Sequence, residues 1–230
     1  GSLKFGAGES TDTEVSGTIS RAERNFLGKG QRLLFEVLTS SSNKRARFGF
    51  TEPAFLDRDL SASIDLTYLD LEPKQSSYTS NESSIRTGFG FSLGADSRLT
   101  TALKFSEEKI LVSDNTLSLI LKDDAGTISN AEFSLNYVKD GRDSIIKPTT
   151  GYLFTSDLSI SGLGGESRFL KGSARGRFYN SLFNDKIIIT GELEGGLIQM
   201  QKGFSRTTDR FSLGGQRLRG FQYGEIGPRE

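Results

Sequence analysis

Apolar and polar residues alternate along most of this chain with a period of two. Successive side chains of an extended strand face opposite sides, so such alternation marks strands with one apolar and one polar face. The pattern is plainest over 60–69, where Leu60, Ala62, Ile64, Leu66 and Tyr68 share one face and Ser61, Ser63, Asp65 and Thr67 the other. Residues 84–94 set Ile85, Thr87, Phe89, Phe91 and Leu93 against Arg86, Gly88, Gly90 and Ser92. The same periodicity predicts strands over 3–9, 14–24, 31–40, 45–52, 98–107, 130–139, 152–161, 169–180 and 187–199. Turns are expected at 10–13, 25–30, 95–97 and 184–185, a long polar loop at 70–82 and a glycine-rich loop at 162–168. Within 108–129 the segment Leu117–Leu121 reads equally as a short strand or as a loop packed on the rest.

This makes about eleven strands, several near the ~9–11 residues that cross a bilayer. The fold class is therefore all-β and antiparallel. A soluble sandwich and a transmembrane barrel both alternate. Strand length favours the barrel, and so does the repetition of Lys171, Arg175 and Arg177 on one face, which suits a water-filled lumen.

Composition narrows the chemistry. The 230 residues carry 29 Lys+Arg and 29 Asp+Glu, so charge gives no reason to expect a nucleic-acid partner. There is no cysteine and no histidine, which removes thiolate nucleophiles, disulfides, the commonest metal ligand and the commonest general base. No metal, cofactor or catalytic residue is expected, and the chain does not read as an enzyme. Glu192 and Glu194 face one side of a strand without a base partner, and they read as lumenal charge rather than as an acid/base pair. Asp123-Asp124 reads as a solvated turn, and Gly162–Gly165 lacks the lysine and helix of a phosphate loop. No run approaches the ~18 apolar residues of a membrane helix.

The stretch FSLGGQRLRGFQYGEIGP (211–228) is apolar yet too rich in glycine for a regular strand or helix. A loop of this kind is expected to be buried, and its Arg219 then needs carboxylates or carbonyls nearby. The stretch resembles the long sixth extracellular loop of the BamA superfamily of outer-membrane barrels. SLKFGAGESTDTEVSGTISRAERNFLGKGQ (2–31) resembles the first barrel hairpin and the periplasmic turn after it. FTEPAFLDR (50–58) resembles the end of the fourth strand, and YVKDGRDSIIKPTTGYLF (137–154) resembles a periplasmic turn later in the barrel.

The resemblance covers essentially the whole chain and implies a single partial transmembrane barrel, with strands over about 1–200 and a long loop over 201–230. It implies insertion of other barrels into the bacterial outer membrane, or polypeptide translocation. A passive pore or adhesin-like barrel is the other reading. It implies that Arg219, Gly220 and Phe221 lock the loop inside the lumen, and that Leu3, Lys4, Phe5, Gly6, Ala7 and Gly8 form one side of a weak lateral seam. Gly6 and Gly8 either weaken pairing there or relieve crowding at the wall. Glu52, Pro53, Asp57 and Arg58, with Arg142, Asp143, Pro148 and Gly151, are implied structural turn residues, and an Asp57–Arg58 turn pair is expected. The implied partners are outer-membrane lipids, unfolded β-barrel clients, and the periplasmic repeat domains and accessory lipoproteins of a parent complex. A complete family barrel needs more strands than this chain supplies, so a fragment is expected, whose natural precursor would begin with a signal peptide.

Overall fold

Alternation along the chain becomes register across it. A computed structural model describes residues 1–10, 14–72, 78–112, 125–163, 168–183 and 186–202. The strands are β1 (Ser2–Ser10), β2 (Glu14–Phe26), β3 (Gln31–Ser40), β4 (Asn43–Glu52), β5 (Leu60–Leu71) and β6 (Tyr78–Ser92). They continue as β7 (Ser97–Val112), β8 (Gly126–Asp140), β9 (Gly151–Ser161), β10 (Arg168–Leu182) and β11 (Ile187–Lys202). Each pairs antiparallel with its neighbours in sequence, giving one eleven-stranded sheet in the order β1 to β11. Among the described residues β1 and β11 do not pair with each other, so the sheet is open.

Two adjacent rows show why this register holds. Leu3, Arg21, Phe35, Phe48, Leu66, Ile85, Phe105 and Ala131 lie side by side across β1–β8. One residue further, Lys4, Ser20, Glu36, Arg47, Thr67, Ser84, Ser106 and Asn130 form the next row, on the other face. The first row is apolar but for Arg21, and the second is polar throughout. A slip of one residue would exchange the faces, so the sequence admits this pairing and rejects its neighbour.

The apolar face is the exposed one. Phe5, Phe105, Leu193 and Leu197 project from it with more than half their surface open. The buried apolar residues Ala102, Ile110 and Phe169 share their face with the polar rows. A sandwich would cover the apolar face with a second sheet. An apolar face of this extent left uncovered marks a membrane or partner surface, and its eleven long strands are those of a membrane barrel.

Cross-strand charges tie the polar face together. Arg47 meets Asp65 at 3.0 Å, Lys104 meets Glu82, and Asn136 donates to Asp157 at 2.7 Å. On β10 and β11 Arg175 reaches Glu194 at 2.6 Å and Glu192 at 3.5 Å, while Arg177 also binds Glu192. Ser161, the most buried side chain on this face, donates to Glu132 at 2.9 Å. These groups are partly open to water, so they fix register more than they add stability.

The bounds of two predicted loop stretches are corrected. The polar stretch 70–82 is not all loop, because β5 runs to Leu71 and β6 starts at Tyr78. Strands β7 and β8 likewise extend into 108–129, to Val112 and from Gly126. Beyond the apolar band the ladder continues through polar residues such as Thr79, Asn81 and Ser83, whose backbone bonds do not depend on hydropathy. Leu117–Leu121, Asp123-Asp124 and Asn184-Asp185 lie outside the described residues.

The two faces predict opposite responses to charge in the full-length protein folded in vesicles. Leu66→Arg, on the apolar face, is expected to cost about 2–4 kcal/mol if it sits at mid-membrane. Thr67→Arg, one residue on and facing the other way, is expected to be close to neutral. Equal losses of unfolding free energy in denaturant would reverse the assignment of faces.

Candidate functional site

The predicted site residues fall on three elements. The first is β1, an outer strand of the described sheet. Leu3, Phe5 and Ala7 lie on the apolar face and Lys4, Gly6 and Gly8 on the polar one, as alternation requires. Only β2 pairs with this strand among the described residues, so the backbone groups on its other side have no strand partner there. A Cβ built on Gly6 would come no nearer than 3.9 Å to Thr18, and one on Gly8 would meet Ser16 Oγ at 3.4 Å. Both are ordinary contacts. Crowding against β2 therefore does not account for these glycines. A glycine in an extended strand weakens it by roughly 0.5–1 kcal/mol relative to alanine. At the far end of the meander β11 pairs only with β10, through the arginine–glutamate lattice.

The second element joins β8 to β9. Arg142 makes two parallel bonds to Asp140, each 2.7 Å, a fork that suits guanidinium and carboxylate. Asp143 caps the segment from within. Its carboxylate accepts from the Ser144 amide at 3.0 Å, the Thr149 amide at 2.9 Å, the Thr149 hydroxyl at 2.6 Å and the Thr150 amide at 3.1 Å. Hydrogen bonds to the charged form, foremost that from the Thr149 side chain, lower its pKa to about 2. Pro148 sits between Lys147 and Thr149, whose amides are both engaged, so its missing N–H leaves no gap. Gly151 closes the turn at φ +102°, and a Cβ there would lie 2.1 Å from the Gly141 carbonyl oxygen.

The third element joins β4 to β5. Glu52 accepts from the Gln31 side chain at 2.7 Å and from the Ala54 amide at 3.2 Å, which fixes the chain around Pro53. Residues Phe55–Asp57 then make one 3₁₀ turn, with Leu56 and Asp57 at positive φ. The expected Asp57–Arg58 pair is not made. Among the described residues neither side chain has an ionic partner, and both backbone amides instead close the turn onto Ala54 and Phe55. Adjacent residues in such a turn point apart, whereas Asp140 and Arg142 sit two apart and do pair.

Arg219, Gly220 and Phe221 lie outside the described residues. Glu192 and Glu194, read as lumenal charge, are both held by arginines. Among the described residues no three acidic groups stand close enough to ligate a metal ion. Sequence reasoning read Asp140 and Thr149 as turn residues but assigned neither of them its bond. The signal was there, an aspartate two before an arginine across a glycine, and a threonine that closes a segment opened by an aspartate.

An open antiparallel meander, with an exposed apolar face and an ion-paired polar face, defines part of an outer-membrane β-barrel. Residues 25–230 match the Omp85 superfamily domain, and the chain belongs to that superfamily. It is 26% identical over 239 residues to the outer membrane protein assembly factor BamA of Nitratidesulfovibrio vulgaris, covering 100% of this chain and 29% of that protein. It is 25% identical over 232 residues to BamA of Neorickettsia risticii, covering 100% of this chain and 31% of that one. The chain thus spans under a third of the length of these relatives. The fold superposes on a crystal structure of BamA from Haemophilus ducreyi lacking POTRA domains 1–3 with a TM-score of 0.79, at 20% identity, over 99% of this chain and 47% of that one.

The β8–β9 turn generates two expectations. Gly151→Ala is expected to spring the turn, since both φ and the Gly141 carbonyl oppose a side chain; amide exchange at Thr149 and Thr150 should rise, and protection equal to the parent would refute the close approach. Because the folded pKa of Asp143 lies below its ordinary 3.8, its stabilising effect is full above about pH 4 and fades as pH falls through about 2. Asp143→Ala should remove that acid-dependent step from the exchange of the same two amides. A step that survives the substitution would assign the titration to another group.

Proposed function

We propose that this chain is barrel wall from a bacterial outer-membrane protein that assembles and inserts other β-barrels. The observation that supports the reading is the pair of glycines, Gly6 and Gly8, in the first strand of the sheet, where a Cβ would meet no crowding from β2, in a chain aligned over its whole length with two bacterial assembly factors. An edge of free N–H and C=O groups templates an incoming strand, and a strand that pairs weakly with its own neighbours yields such an edge at lower cost. In this reading β1 offers its edge to an unfolded client. The surrounding lipid takes the apolar face, and periplasmic repeat domains with accessory lipoproteins deliver the client. The chain acts by templating, without catalytic turnover.

Arg219 has the companion role. Held at the tip of an apolar loop inside the lumen, its planar fork would bind carboxylates through two bonds, with Gly220 allowing close approach and Phe221 packing on the wall. A polypeptide-translocating barrel or passive pore would use the same wall without a client edge.

Two measurements on the full-length protein in vesicles test this. Gly6→Ala with Gly8→Ala adds a Cβ that meets only ordinary contacts from β2, so it should raise the barrel's own stability while slowing client insertion several-fold. Higher stability with an unchanged insertion rate would sink the templating role. Arg219→Ala should lower heat resistance and slow insertion, costing on the order of 3–5 kcal/mol if the pair is fully buried, while Arg217→Ala does much less. Equal effects from both arginines would leave a surface loop.

A further inference from the structure

One end of the sheet carries apolar residues where water-facing turns are usually polar. The turns that join β2–β3, β4–β5, β6–β7, β8–β9 and β10–β11 all lie at this end. Each presents a large apolar side chain: Leu27 at 74% exposure, Leu56 at 70%, Leu93 at 57%, Ile145 and Ile146 at 76% and 88%, and Phe183 at 74%. Leu27, Leu56 and Phe183 do so at φ of 54°, 58° and 53°. Glycine or asparagine would occupy that left-handed region with less strain. The backbone does not ask for leucine or phenylalanine there, so the side chain must be suited to what it meets.

Three of these turns run directly into the exposed apolar face. Phe55 packs on Phe89 of that face, with ring centroids 6.0 Å apart, which draws the β4–β5 turn against it. Leu93 is the next outward position after Phe91. Phe183 follows Leu182, which pairs with Ile187 on the same face. Charge adds a second regularity. Leu27 is followed by Lys29, Leu56 by Arg58, Ile146 by Lys147 and Phe183 by Lys186, and all four cations are exposed. Among the described residues none of the four makes an ion pair. The acids nearby are engaged, Asp143 inside its own turn, Asp59 by the Ser92 hydroxyl and Asp140 by Arg142; Asp57 is the exception.

We propose that these turn tips form a collar immersed in the phospholipid headgroup region of the leaflet on the short-turn side, which in such barrels is the periplasmic one. The apolar tips enter the boundary between headgroups and acyl chains, and Lys29, Arg58, Lys147 and Lys186 reach lipid phosphates. Continuity with the lipid-facing band and the repeated apolar–basic pairing select a lipid surface over a protein partner. The Asp143 staple gives Ile145 and Ile146 a fixed platform from which to insert. The proposal rests on the outer-membrane reading of the apolar face.

The test uses the full-length protein in a cysteine-free background, reconstituted in vesicles of phosphatidylethanolamine and phosphatidylglycerol. A bimane label is placed singly at Leu56→Cys, Ile146→Cys and Phe183→Cys, at Leu193→Cys as the band control and at Ser173→Cys as the lumen control. Brominated phospholipids are expected to quench the three tips as they quench position 193, and iodide should reach them far less than position 173. Lys29→Gln, Lys147→Gln and Lys186→Gln combined should abolish the gain in insertion rate that phosphatidylglycerol confers, while an undiminished gain would overturn the phosphate contacts. Tips open to iodide and unquenched by lipid, beside a quenched position 193, would overturn the collar alone. Shielding that appears only when purified partner proteins are added would make the tips a protein-docking surface and overturn the lipid assignment. An unquenched position 193 would overturn the membrane reading and the collar with it.

Discussion

Backbone hydrogen bonding inside a membrane is the constraint on which this structure depends. Lipid offers no partner to an amide or a carbonyl, so every spanning strand must find both within the sheet. The meander meets this for β2 through β10, each flanked on both sides by its neighbours in sequence. Side-chain alternation then follows from geometry. The ladder leaves two faces, one against lipid and one against the lumen, and the chain supplies leucine and phenylalanine to one and serine, arginine and glutamate to the other. The ion pairs of the lumenal face are secondary. They choose among registers that the ladder would accept equally well.

The same constraint makes the two terminal strands unlike the rest. Satisfaction of the outer edges of β1 and β11 depends on something beyond their described neighbours. On β11 a lattice of Arg175, Arg177, Glu192 and Glu194 fixes the register of the inner side against β10. At the β1 end the described ion pair is that of the Gly1 amino group with Glu23, and Gly6 and Gly8 add no side chain to the polar face beside Lys4. The two ends of the described sheet thus differ in the side chains that cross their last pairing.

Much of this was legible in the sequence, for a physical reason. A period of two is an invariant of the strand, so Leu60 to Tyr68 announced β5 and its faces without any knowledge of tertiary contacts. Boundaries were harder. Tyr78 to Glu82 looked like loop because hydropathy falls away outside the membrane, while the ladder that defines the strand does not. The turns were visible as punctuation but not as geometry. Asp143 could be seen to favour a turn, yet three of its four donors return only at Thr149 and Thr150. The expected pair at Asp57 and Arg58 failed because adjacency in sequence was taken for proximity of side chains, and a 3₁₀ turn separates them. Positive φ at Leu27, Leu56 and Phe183 had no signal at all, since leucine and phenylalanine are not the residues from which that conformation is read.

The meander has a further consequence for how such a wall comes into being. Every pairing present joins strands adjacent in sequence, so each new strand closes a loop only as long as the turn before it. Loop-closure entropy grows with the logarithm of length, and pathways built from near neighbours are correspondingly fast. The sheet is therefore suited to growth by successive hairpins, each addition presenting the template for the next. Only the joining of first strand to last would close a loop as long as the whole barrel, and that single slow event would be the one left for the membrane environment to control.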